Sequence, residues 1–76
     1  MKLKDNVNLV EFLRNVKKCK SDVFLKTENE DMLNLKSILS QYVLVVLAEK
    51  KELLENARVI CKGDEDYQVL MEYLAV

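Results

Sequence analysis

The sequence has no histidine, no proline and no tryptophan, and a single glycine, Gly63, in 76 residues. Each scarcity excludes something. A structural zinc site needs about four ligands, usually cysteine and histidine, and only Cys19 and Cys61 are on offer. No metal or cofactor is therefore expected. The two cysteines are far apart in sequence, and nothing near them signals a redox motif, so they read as reduced, partly buried thiols. Without proline and with one glycine, the chain holds no linker or low-complexity stretch, and it carries no internal repeat. The longest apolar run, residues 42–48, is far shorter than the roughly 20 residues a bilayer requires. The start, Met1-Lys2-Leu3-Lys4-Asp5, lacks an apolar export core, so no signal peptide is expected and the default location is the cytosol. Neither sign of charge is in excess: 12 basic and 13 acidic residues leave a net charge of -1, which draws the chain neither to nucleic acid nor to an anionic membrane. No nucleophile with a partner base and no phosphate loop is visible, so the chain is not expected to be an enzyme.

What is present suits one small folded domain spanning residues 1–76. Half of the chain is apolar and a third is charged, the balance of a globular protein rather than a disordered one. Leu9, Phe12, Leu13, Val16 and Cys19 recur at helical spacing. Asp5, Asn6 and Asn8 are candidate N-caps, and Glu11 follows Asn8 at the distance of a capping box. A hairpin comes next, with Val23, Leu25 and Thr27 on one strand face, a polar turn over residues 28–31, and a return strand carrying Leu33 and Leu35. A long helix is predicted from about Lys36, with Leu39, Tyr42, Val43, Val46, Lys50, Leu53 and Leu54 on one side, Leu39 and Val43 in the core, and a bend between Leu44 and Leu47. A strand over residues 57–62 and a helix capped by Asp64 follow, the latter burying Tyr67, Leu70, Met71 and Leu74. The predicted order is helix, strand, strand, helix, strand, helix. Helices on one face of a small antiparallel sheet make a two-layer α+β domain, an open-faced sandwich.

Two stretches within that frame, Ser21-Asp22-Val23-Phe24-Leu25-Lys26 and Asn34-Leu35-Lys36-Ser37-Ile38-Leu39, resemble the histidine-containing phosphocarrier protein (HPr) family, in particular its catabolite-repression branch. Gly63-Asp64-Glu65-Asp66 with Val69-Leu70 resembles that family's last strand-to-helix corner. The resemblance implies a β-α-β-β-α-β-α fold of which the first strand is missing or vestigial here. It places Asp5 near the family's phosphoacceptor histidine, with Val7 and Asn8 where the family keeps an arginine and a proline. Three readings of Asp5 stand beside one another: a helix N-cap, an acyl-phosphate acceptor that would need magnesium and a partner enzyme, and a carboxylate imitating a phosphorylated residue.

In the family's Gram-positive members the serine equivalent to Ser37 is phosphorylated by a dedicated kinase. A serine at a helix start lies among free N–H groups at the positive end of the dipole, where a phosphate is well placed; serine also favours that position with no further role. The resemblance marks Lys36, Ile38 and Tyr42 as partner-docking residues. It implies a protein of the sugar phosphotransferase system or its carbon-catabolite regulation that cannot carry phosphohistidine and works by binding other proteins. The alternative is a truncated relative acting as a small homodimeric interaction domain, joined through the sheet edge at residues 57–62 that the missing first strand would leave open.

Overall fold

A computed structural model describes residues 1–75. Its architecture is α+β, with two small antiparallel sheets. In chain order the elements are β1 (Lys2–Leu3), α1 (Leu9–Val16), β2 (Val23–Lys26), β3 (Met32–Asn34), α2 (Ile38–Ala48), α3 (Lys51–Glu55), β4 (Arg58–Cys61), α4 (Asp64–Leu70), a 3₁₀ turn (Met71–Tyr73) and β5 (Leu74–Ala75).

The hairpin forms as the alternation predicts. β2 lies between β3 and β4, with Leu25 opposite Leu33 on one side and Val59 on the other. Val23, Leu25, Val59 and Cys61 fill the helix-covered face, while Phe24 and Ile60 pair on the open face, where the Lys62 ammonium stands 5.9 Å from the Phe24 ring centre. The turn closes through Thr27, whose N–H donates to the Asp31 carbonyl at 3.0 Å. It leaves Glu30 in the left-handed region at φ 66°, an uncommon conformation for a residue with a side chain.

α1 is capped by Asn8, not by Asp5: the Asn8 Oδ1 accepts the Glu11 N–H at 3.2 Å. The Glu11 carboxylate turns forward to Arg14 at 2.7 Å, so it does not close the box. Asp5 lies in the turn before the helix, beside Asn6, whose φ of 58° suits asparagine.

Three expectations need correction. The long helix is two helices, and the break falls at Glu49–Lys50 rather than between Leu44 and Leu47. A straight helix over residues 36–55 would run about 30 Å, the full 29 Å length of the molecule, and would carry Ala57 past the sheet. Folding back at Lys50 returns Leu54 to the core and Ala57 to the start of β4. The last helix ends at Leu70, its N-cap is Gly63 rather than Asp64, Met71 is exposed, and Leu74 belongs to a strand. Finally, the β4 edge is not bare. Val59 and Met1 exchange backbone bonds, the Val59 N–H donating to the Met1 carbonyl at 2.6 Å, while Leu3 pairs with Leu74 on the other side. Residues 1–3 thus lie between β4 and β5 and join the two sheets.

The core gathers Phe12, Val16, Leu25, Leu35, Leu44, Val59 and Leu70. Phe12 meets the Tyr73 ring edge-on at 5.9 Å, and Tyr73 is held by the Asn15 side-chain amide, which donates to its hydroxyl at 3.0 Å.

Candidate functional site

The turn that delivers Ser37 is built from its neighbours. Leu35 is fully buried, and its N–H donates to the Val23 carbonyl at 2.8 Å. The Asn34 side-chain oxygen accepts the Lys36 N–H at 3.0 Å and its carbonyl accepts the Ser37 N–H at 2.9 Å, an Asx-type turn leading into the helix. Ser37 is therefore fixed as the N-cap of α2, exposed, in extended backbone conformation. Its hydroxyl makes no capping bond and the first turn of α2 holds no acidic residue. That end of the helix offers unpaired N–H groups and the positive end of the dipole, with no carboxylate in the turn to repel an anion.

The other docking candidates divide. Ile38 and Tyr42 stand 79% and 72% exposed beside Ser37. Lys36 is half-buried, and its ammonium donates to the Cys19 carbonyl at 2.7 Å, which ties the serine turn to the end of α1. Leu39, expected in the core, is 76% exposed, and Val43 also reaches the surface; Leu44 is the fully buried residue of this helix. α2 is apolar nearly all round, so spacing alone could not phase it. On the inward side the Gln41 amide donates to the Leu35 carbonyl at 3.0 Å.

Asp5 is separate from Ser37. It lines a groove of about 290 Å³ with Lys4, Val7, Leu9, Lys51 and Glu55. A second groove, of about 380 Å³, runs between the hairpin turn and α2, with Glu28 and Asp31 on its rim and Met32, Leu33, Val43 and Leu47 within it. Among the described residues, no three metal-ligating side chains gather in one place, and no helix is long and apolar enough to cross a membrane.

Sequence reasoning missed Asp66. Its carboxylate is 2% exposed and accepts the Lys20 and Ser21 N–H groups, each at 2.9 Å. Those two hydrogen bonds, more than the nearby Lys36 and Lys20 charges, hold its pKa below the usual carboxylate value. The single glycine makes room for this staple: a Cβ on Gly63 would stand 3.0 Å from the Ser21 hydroxyl and 3.4 Å from Asp66. Its one sequence signal was a carboxylate three residues after a cap that has no side chain of its own. Both thiols lie under this corner. Burial pushes the Cys61 thiol up to about 11, helped by Cys19 and Asp66, and burial likewise raises Cys19.

No protein-family model, no curated protein and no solved structure matches the chain.

Proposed function

We propose that this chain is an HPr-like binding protein of the sugar phosphotransferase system or its carbon-catabolite branch, with Ser37 as its regulatory phosphorylation site. The observation that supports it most is the Ser37 N-cap itself: a hydroxyl with no capping bond, on an ordered turn, beside the exposed Ile38 and Tyr42. Phosphohistidine chemistry is closed to a chain without histidine. The protein acts by presenting the start of α2 to a partner, and phosphate on Ser37 changes which partner is preferred by adding negative charge and acceptor oxygens there. Asp5, in an exposed turn, is not required for this role.

The test is binding to a carbon-catabolite transcriptional regulator before and after treatment with an HPr-type serine kinase. Ile38→Asp should weaken the contact about tenfold or more, and the phosphorylated protein should bind more tightly than the unmodified one. Equal and negligible binding in both forms would contradict the proposal. The alternative of a homodimer through the β4 edge has less room than expected, because Met1 already occupies the Val59 position.

A further inference from the structure

α2 buries little of its apolar surface. Ile38, Leu39, Tyr42, Val45 and Val46 are between 48% and 79% exposed. They recur at three- and four-residue spacing, the pattern of a helix face that packs on another helix. A helix that is apolar all round is normally buried all round, yet within one copy only the Leu44 side of α2 is covered. Together these five side chains leave on the order of 600 Å² uncovered. That is the upper end of what a monomer commonly leaves in one patch, and about three quarters of the roughly 800 Å² per partner of a standard interface.

We propose that this face is a homodimer interface, in which two copies pack α2 against α2, antiparallel, about a twofold axis passing near Tyr42. The inference rests on the exposure of α2 and not on the phosphotransferase reading, with which it competes for Ile38 and Tyr42: a dimerised copy does not present them to another partner. Tyr42 is the midpoint of the exposed stripe. A twofold there sets Ile38 against Val46 of the second copy and Leu39 against Val45, apolar on apolar throughout. Self-complementarity is what an isologous contact requires. Residues 37–48 carry no charge, so closing the face desolvates none; charges return only at Lys36 and at Glu49 and Lys50, beyond the stripe. The antiparallel arrangement also sets the two helix dipoles head to tail. A membrane surface fits less well, since a face that lies on lipid is normally rimmed with lysine and arginine.

Sedimentation equilibrium of the full chain tests this. One copy weighs 8.9 kDa, so the dimer weighs 2 × 8.9 = 17.8 kDa. The mass should rise from the first value to the second as concentration rises toward about 500 µM. Tyr42→Glu and Leu39→Glu, both on exposed positions, should keep the circular dichroism of the wild type and weaken association about tenfold or more. Tyr42→Cys should form a reducible cross-linked dimer on mild oxidation, while Val10→Cys, equally exposed on α1, should not; Cys19 and Cys61 are buried and stay out of the reaction. A wild type that remains 8.9 kDa throughout would overturn the proposal. So would a dimer untouched by Tyr42→Glu, which would place the contact at another surface, or a monomer that instead binds anionic vesicles through α2.

Discussion

Gln41 donates its side-chain amide to the Leu35 carbonyl at 3.0 Å, on the same side of α2 as Leu44. Leu44 lies inward and Leu39 outward. Leu44→Ala should cost about 3 kcal/mol, the ordinary price of an emptied core position, while Leu39→Ala should stay within about 0.5 kcal/mol at concentrations that keep the protein monomeric. Chemical denaturation of the two variants measures the difference; equal losses would mean the helix is phased otherwise.

Asp66 staples α4 to the segment entering β2, and its charge should be visible in the stability of the fold. Its carboxyl pKa is lower folded than unfolded, so the contribution is complete above the unfolded value of about 4, declines as pH falls below it, and is gone once pH passes under the folded pKa. Thermal melts between about pH 6 and pH 3 should show this loss. Asp66→Asn should lower Tm at neutral pH by more than about 5 °C and flatten the acid limb. An unchanged acid limb would remove Asp66 from this role.

The thiols should be silent in the native state. Cys61 titrates near 11 because it is buried, above the free thiol value of about 8.5. Between those values the unfolded chain loses a proton that the folded chain keeps, so stability should fall as pH rises through that interval. At neutral pH an alkylating reagent should label neither Cys19 nor Cys61 until denaturant is added. Rapid labelling of the folded protein would contradict their burial.

Glu30 holds a left-handed backbone at φ 66°. Glycine adopts that conformation freely, so Glu30→Gly should stabilise the hairpin by about 0.5–1 kcal/mol and raise Tm by a few degrees. A lower Tm would show that the turn is not held in this conformation.

The legible parts of this fold were those in which polar residues mark the pattern. The Leu9–Val16 stripe located α1, with Asn8 one of three candidate caps, and the Val23, Leu25 alternation with its polar turn located the hairpin. The α2 face was not legible, because residues 43–48 are all apolar and spacing gives them no preferred side. β5 was missed for another reason: like β1, expected only as missing or vestigial, it is two residues long and exists by pairing across the domain. The break at Lys50 likewise has no local signal, since residues 48–55 favour helix. Of the candidate site, the placement of Ser37 at a helix start was readable from Asn34-Leu35-Lys36-Ser37, while the Asp66 staple depends on a contact 45 residues distant.

Phosphorylation of Ser37 tests the central proposal most directly. The full chain is incubated with an HPr-type serine kinase and ATP, beside Ser37→Ala, and both are analysed by mass spectrometry. One phosphate per chain is expected, located on the peptide carrying Ser37, and none on the variant. An unmodified wild type, or a phosphate that persists in Ser37→Ala, would contradict it.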